Sequence, residues 1–472
     1  MSNAEIGVIG LGTMGAMLAL NIADNGFQVA VHNRTAARIP EFLETAGALA
    51  EKISGHDTLE AFVHGLASPR NIILMVPAGG PVDAQIAALR PLLDKDDMII
   101  DAGNANFHES QRRADEAEAA GVPFLGIGVS GGAEGARFGP SIMGGGTQAA
   151  WQRVAHILEA ISAKYEGQPC ATYMGSGGAG HFVKTVHNGI EYADMQLIAE
   201  VYGVMRDGMG QDAAAIGTVF DVWNEGRLQS YLVEISGKVA AATDPETGNA
   251  MLDMILDRAG QKGTGRWTAI EAQMLGAPVP VIEAAVMARN MSAARDLRLE
   301  GAKTFPMGNR DIGDALSQDD LEAALVAGKI LCYAQGFELL SKASAENGWD
   351  LPMPAIAEVW REGCIIRSAM LNDMSEALND APERNLALAP YFAKLLKETV
   401  GQLRKVAVTA IGAGHPVPAL SAALAYFDTL TSARTTANML QAQRDYFGAH
   451  SFERTDRDGA HHGPWLGQHL NG

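Results

Sequence analysis

The stretch that decides the fold is residues 6–15, IGVIGLGTMG. Its opening residues are a short apolar run suited to a buried strand. Gly10-Leu-Gly12-Thr-Met-Gly15 then completes a GxGxxG at the start of a helical pattern. Strand, glycine turn and helix in that order predict a dinucleotide site. The glycines permit a tight turn and close backbone approach, and a pyrophosphate settles on the free N–H groups that begin the helix. Outward from this point, apolar runs at 6–10, 28–32, 72–76, 98–101 and 123–128 alternate with helical patterns. A further strand is expected at 141–143, ending before the glycine triplet 144–146. Such alternation marks βαβ units, so an α/β Rossmann-type domain is expected over residues 1–177.

The end of the second expected strand selects the cofactor. An NAD site places Asp or Glu about 20 residues beyond the glycines, where the carboxylate bonds the ribose 2′-hydroxyl. This chain has Val31-His-Asn33-Arg34-Thr35 there. Neutral Asn33 cannot repel a 2′-phosphate and Arg34 can grip one with paired N–H donors, so NADP is expected.

Beyond about residue 180 the pattern turns to Ala-, Leu- and Met-rich helical spacing, and a large all-α domain is expected over 178–440. The glycine-rich MGSGGAG at 174–180 reads as a hinge between the two. Next, GHFVKTVHNGIE at 180–191 sets Lys184, His187, Asn188 and Glu191 at i, i+3, i+4 and i+7, one face of a helix. Phe182, Val183, Val186, Ile190 and Ala193 fall mainly opposite. The polar face is either a solvated surface or the wall of a reaction cleft. EYADMQLI at 191–198 echoes CYAQGFELL at 332–340, aligned at Tyr192 and Tyr333. In that register Lys184 matches Leu325 and Glu191 matches Cys332. A duplication in which one copy alone keeps the polar set favours the cleft. The stretch 441–472 is rich in Gly, His and charge yet holds Tyr446, Phe447, Phe452 and Trp465, so a tail that docks on a second subunit is expected.

Bulk properties narrow the class. A chain of 472 residues exceeds one ordinary core, so more than one domain is expected. Hydrophobic content of 47% against 19% charged residues leaves no room for a largely disordered chain. A net charge of −19 speaks against nucleic-acid or anionic-membrane partners, so an anionic substrate needs a local basic pocket. Cys170, Cys332 and Cys364 are too few and too scattered for a disulfide framework or a zinc site, which points to a reducing cytoplasm. The opening MSNAEIGVIG lacks a basic leader, so no signal peptide is expected. No apolar run approaches the roughly 18 residues of a membrane span.

Taken together, these segments resemble the decarboxylating 6-phosphogluconate dehydrogenases of the β-hydroxyacid dehydrogenase superfamily. The resemblance is carried by GLGTMG at 10–15, NRT at 33–35, DAGN at 101–104 and GVSGGAEGARFGPSIMGGG at 128–146. It continues through KTVHNGIEY at 184–192, AGQKGTGRWT at 259–268, ALAYFD at 423–428 and QRDYFGAHSFERTD at 443–456. It implies a Rossmann domain, a duplicated helical domain, and a homodimer whose tail reaches into the partner. It also implies oxidation of 6-phosphogluconate by NADP to ribulose 5-phosphate and CO2. Carried over by motif, Ser130, Gly131, Gly132, Lys184, His187, Asn188, Glu191 and Tyr192 surround the sugar acid. Lys262, Thr264, Arg289 and, from the neighbouring tail, Arg444 and His450 hold the sugar and its phosphate, with Asn104 between cofactor and substrate. The implied cofactor set is Gly10, Gly12, Thr13, Met14, Gly15, Asn33, Arg34, Thr35, Val76, Ala78 and Asn104. The chain departs from the family at Gly12, where many members have Ala, at Pro77, where lysine is usual, and at Ala102, where Gly is usual.

Such a reaction removes a hydroxyl proton, transfers a hydride, loses CO2 from a β-keto acid and protonates the resulting enediol on carbon. The new ketone is the electron sink, so no metal is expected. A base and a separate acid are needed, and Lys184 and Glu191 stand ~10 Å apart by helix rise. Lys184 is expected as the base and Glu191 as the acid, with His187 and Asn188 orienting the substrate. The competing readings are a relative that oxidises a simple 3-hydroxy acid, and a silent NADP-binding protein.

Overall fold

The computed structural model describes residues 3–261 and 263–465; Lys262, expected in the substrate set, lies outside the described residues. The strands are β1 (Ile6–Ile9), β2 (Val29–His32), β3 (Ile53–His56), β4 (Asn71–Leu74), β5 (Met98–Asp101), β6 (Phe124–Val129) and β7 (Ile142–Gly146). A small hairpin, β8 (Lys164–Tyr165) with β9 (Gln168–Pro169), leads into β10 (Ala171–Gly175). Between them run α1 (Thr13–Asp24), α2 (Arg38–Thr45), α3 (Leu59–His64), α4 (Gly80–Leu89), α5 (Phe107–Ala119), α6 (Gly132–Phe138) and α7 (Gln148–Ile161). One eight-stranded sheet has the order β10-β7-β6-β5-β4-β1-β2-β3. Its neighbours pair in parallel except β6 with β7, where Leu125 faces Gly146 and Val129 faces Ile142.

Both faces of this sheet are buried, and the alternation shows it. Ile6, Val8, Ile73, Met98 and Ile100 share one apolar core with Leu18 and Ile22 of α1. Ile9, Ile72, Leu74 and Ile99 join the other core, with Phe62 of α3 and Leu89 of α4. Burial on both sides is why these strands read as continuous apolar runs. β1 lies between β2 and β4, so the order reverses there and opens a crevice at the carboxyl ends of β1 and β4.

Three features differ from the sequence expectation. β3 and β10 were not expected, because ISGH and ATYMG are short and lack an apolar alternation. β7 does not stop before the glycine triplet but runs through it, because Gly144, Gly145 and Gly146 pair with β6; the bare Gly144 leaves room for the Trp151 ring, 2.3 Å from where a methyl would lie. The expected hinge at 174–180 is a packed junction instead. A methyl on Gly180 would lie 2.5 Å from the Met143 carbonyl oxygen, and one on Gly178 2.5 Å from that of Phe107.

The helical part begins with α8 (Ala179–Gly203), followed by α9 (Ala213–Asn224), α10 (Tyr231–Ala241), α11 (Met251–Met254), α12 (Thr264–Met274), α13 (Pro280–Ala293) and α14 (Arg295–Thr304). Then come α15 (Gln318–Asn347), α16 (Met353–Val359), α17 (Met370–Asp380), α18 (Pro390–Gly412) and α19 (Pro418–Leu430). The echoed sequences lie on α8 and α15. These two helices pack together and are locked by a buried ion pair, Lys329 Nζ to Asp194 Oδ2 at 2.6 Å. By length and composition α15 could cross a membrane, but 89% of its most apolar 18-residue window is buried inside the fold.

Residues Met1–Leu424 form one compact unit and Ala425–Gly472 another. Inside the second, α20 (Ala437–Gly448) precedes the hairpin β11 (Phe452–Glu453) and β12 (Ala460–His461). Asp445 is its hub. Its carboxylate accepts from the N–H groups of Ser451 and Gly463, from His462 Nδ1 and from Trp465 Nε1.

Candidate active site

At the strand-order reversal a cleft of about 720 Å³ is lined by Gly10, Gly12, Asn33, Arg34, Thr35, Arg38, Met75, Val76 and Pro77, among others. Gly10 turns the chain at φ 103°, where a methyl would strike the Met75 carbonyl oxygen at 2.4 Å. α1 then starts behind Gly12 with no side-chain cap, and a methyl on Gly12 would meet nothing within 4 Å. The contrast with α7, α9, α10 and α15 is informative, since Thr147, Asp212, Ser230 and Ser317 each cap their helix with a side-chain oxygen. The first N–H groups of α1 are thus left open toward the cleft, as an anion requires. Asn33 ties the rim together. Its Oδ1 accepts from Leu11 N–H at 2.9 Å and its Nδ2 donates to Thr35 O at 3.0 Å. Thr13, Met14 and Gly15 occupy the first turn of α1, and Ala78 lies in the loop before α4. Arg38 was not foreseen. It opens α2 four residues beyond Arg34 and lines the same cleft.

The second half of the site is built where α8 crosses β6. Gly126 and Gly128 alternate on the β6 face turned to α8. A methyl on Gly128 would lie 2.4 Å from Lys184 Cβ, and one on Gly126 2.9 Å from His181 Nδ1. The missing side chains bring the helix onto the strand and bury Lys184 to 7% exposure. Lys184 Nζ donates to Ser130 Oγ at 2.8 Å and lies 3.3 Å from His187 Nδ1. Ser130 Oγ is 3.2 Å from His187 Nε2, and His187 Nδ1 is 3.2 Å from Asn188 Oδ1. Glu191 Oε2 is 3.9 Å from His187 Nδ1. The face carrying Lys184, His187 and Asn188 is therefore interior. Burial pushes the Lys184 ammonium below the usual lysine range, against the opposing pull of Glu191. Burial, helped by Lys184, pushes His187 well below the usual histidine value, so the ring is neutral. Burial raises the Glu191 carboxyl, opposed by Lys184 and Arg289. One proton assignment fits these contacts: Lys184 donates to Ser130, the Ser130 hydroxyl to His187 Nε2, and His187 Nδ1–H to Asn188.

Two family profiles cover most of the chain. Residues 5–175 match the NAD binding domain of 6-phosphogluconate dehydrogenase, and residues 180–465 match the 6-phosphogluconate dehydrogenase C-terminal domain. The chain belongs to the decarboxylating 6-phosphogluconate dehydrogenases. It is 47% identical over 475 residues to "6-phosphogluconate dehydrogenase, NADP(+)-dependent, decarboxylating" of Bacillus subtilis, covering 99% of this chain and 100% of that one. It is 47% identical over 456 residues to "6-phosphogluconate dehydrogenase, decarboxylating 1" of Saccharomyces cerevisiae, covering 95% and 93%. A solved Plasmodium falciparum 6-phosphogluconate dehydrogenase, studied apo and with NADP+ or 6-phosphogluconate, superposes with a TM-score of 0.95 at 42% identity, covering 98% and 100%.

The other described residues matched to the family's motifs lie on several separate elements. Gly131, at φ 99°, turns the chain after Ser130, where a methyl would strike the Gly363 carbonyl oxygen at 2.6 Å. Beside it Gly132 opens α6 with free space around it. Asn104 is exposed on the loop after β5. Tyr192 is buried on α8, with the Arg289 guanidinium 3.6 Å above its ring. Thr264 is buried at the start of α12, whose Thr268 hydroxyl donates to Thr185 O of α8 at 2.7 Å. Arg444 and His450 belong to the unit from Ala425 onward. Motif reading did not reach residues 360–364 of the loop after α16. The Trp360 and His187 rings meet edge to face with centroids 5.8 Å apart, and Gly363 O accepts from Ser141 N–H at 2.8 Å.

Proposed function

We propose that Lys184 and Glu191 carry the proton transfers of the family reaction in this chain. That reaction is the NADP-dependent oxidation and decarboxylation of 6-phosphogluconate to ribulose 5-phosphate and CO2. The cleft at the end of β1 fits the cofactor. The uncapped α1 N-terminus faces a pyrophosphate, and Arg34 and Arg38 supply cations for a 2′-phosphate. Bound there, NADP supplies the hydride acceptor.

Lys184 removes the proton from the substrate hydroxyl and returns it to the carbonyl oxygen as CO2 departs. It must begin unprotonated, and burial acts in that direction. Its 3.3 Å approach to His187 Nδ1, a nitrogen already donating to Asn188, suits an amine with a free lone pair. Glu191 protonates the enediol carbon and must begin protonated, the state its burial favours. Ser130, His187 and Asn188 orient hydroxyls and carboxylate, while Lys262, Thr264 and Arg289 with Arg444 and His450 of a second copy hold the phosphate end. A cytoplasmic homodimer with exchanged tails completes this reading. It is supported by three buried free cysteines and by the separate compact unit from Ala425 onward.

The observation that carries the proposal is a lysine buried on the sheet side of α8 and hydrogen-bonded to Ser130. Lys184→Ala should abolish NADPH formation while calorimetry still shows NADP binding. Turnover near wild type would remove Lys184 from the chemistry.

A further inference from the structure

His181, three residues before Lys184 on α8, is a buried titratable group that the proton transfers do not use. Its Nε2 lies 3.1 Å from Gly103 O and its Nδ1 2.7 Å from Ser110 Oγ. A carbonyl only accepts, so Nε2 carries the ring proton and Nδ1 accepts from the Ser110 hydroxyl. Burial pushes the imidazole below its usual pKa, in keeping with a neutral ring. One side chain therefore ties α8 to both the loop after β5 and to α5. That loop is held from its other side as well, because Gly103 N–H donates to Asp101 Oδ1 at 3.1 Å. Asp101 in turn meets the buried Arg113 at 3.4 Å. Gly103 also presses on the Val76 carbonyl oxygen, where a methyl would lie 3.1 Å away, and Val76 lines the cofactor cleft. Gly126 leaves room for the ring.

We propose that His181 is a positioning residue, a strut that fixes the Gly103–Asn104 loop against the helix bearing Lys184. Base and hydride acceptor then address the same substrate carbon. The strut rests on the reading of Asn104 as the residue between cofactor and substrate. Two polar replacements separate its arms. His181→Gln keeps an N–H that reaches Gly103 O, whereas His181→Asn keeps only an acceptor near Ser110. His181→Asn should lower kcat by about 10²-fold, the scale of an ångström of misalignment, with the NADP dissociation constant unchanged. His181→Gln should recover most of that loss. In an Asn104→Ala background, His181→Asn should cost little further turnover, while any drop in thermal stability persists in both backgrounds. Equal turnover of the Gln and Asn variants overturns the strut, and so do multiplicative losses in the double variant. A fully active Asn104→Ala overturns the placement of Asn104 and the strut with it. An impaired Asn104→Ala with multiplicative losses overturns the strut alone.

Discussion

Gly128→Ala tests whether the seat of α8 on β6 sets catalysis. The added methyl would lie 2.4 Å from Lys184 Cβ, 3.0 Å from its Cγ and 3.2 Å from Gly180 O. Carbon atoms settle at about 3.5–4.0 Å, so strand and helix must part by roughly 1 Å. Neither side can yield by turning a flexible side-chain end, because Cβ and a carbonyl oxygen move only with the backbone. Overpacking of this kind costs about 1–3 kcal/mol of stability. A misplacement of about 1 Å at the base costs about 10²-fold in rate. The expected signature is a folded enzyme with a modest loss of thermal stability and a large loss of kcat. The assay is NADPH absorbance at saturating substrate, run beside scanning fluorimetry. Gly203→Ala is the control, since it lies on the same helix and its methyl meets nothing within 4 Å. It should keep kcat and gain about 0.5–1 kcal/mol of helix stability. Gly128→Ala with wild-type kcat and a lowered melting temperature would refute the reasoning, because α8 would then have shifted without consequence for the base.

Further expectations concern the two anion sites and one buried acid. Arg34→Ala and Arg38→Ala should each lower kcat/KM for NADP by roughly 10- to 100-fold, the worth of a charge-assisted contact, and leave kcat/KM for NAD nearly unchanged. Equal losses with both cofactors would remove these arginines from 2′-phosphate recognition. Arg444→Ala should raise KM for 6-phosphogluconate by roughly tenfold or more with kcat largely kept, since a phosphate grip is lost and the chemistry is not. An unchanged KM would take the tail out of the site. Glu200 of α8 accepts from the Ala419 and Leu420 N–H groups at the start of α19, and burial raises its pKa to about 7. Between the usual carboxylate value and that pKa the folded chain holds a proton that the unfolded chain has released, so stability falls as pH rises through this window. Glu200→Gln should flatten that fall in urea titrations at the two ends of the window. A slope as steep as wild type would assign the titration to another group.

Much of the site was legible because its signals are local. The glycine turn, the Asn33-Arg34-Thr35 rim and the i, i+3, i+4, i+7 set on α8 each need only a few neighbouring residues. What the sequence hid depends on contacts between distant segments. Gly126 and Gly128 are locally only part of an expected strand, yet their use is to admit His181 and Lys184, more than fifty residues on in the sequence. The glycines at 174–180 read as a hinge for the same reason, although Gly175, Gly178 and Gly180 each fit a bare Cα against backbone from another segment and Gly177 fits against the Gln111 side chain. β3 and β10 escaped notice because each is short and borrows its burial from helices that flank it. Trp360 and Gly363 carry no motif, and only the fold brings them beneath His187 and Gly131.

The electrostatics of the α8 face follow from the same packing. A chain of net charge −19 would on average favour a protonated lysine, yet Lys184 is shifted the other way. Long-range charge is screened beyond about 8–10 Å, whereas desolvation acts at the group itself and so prevails. Removing Lys184 from water on the β6 glycines disfavours its ammonium, and enclosing Glu191 one helix face along disfavours its carboxylate. Each shift leaves the other group less reason to ionise, because an amine without charge offers a carboxylate no partner. Both shifts run toward a neutral amine and a neutral acid, a distribution that avoids burying two separated charges. That distribution is the one a hydroxyl-deprotonating base and a carbon-protonating acid must hold at the start of a turnover. The β6 glycine Gly128, by letting α8 sit so close, sets the Lys184 half of it.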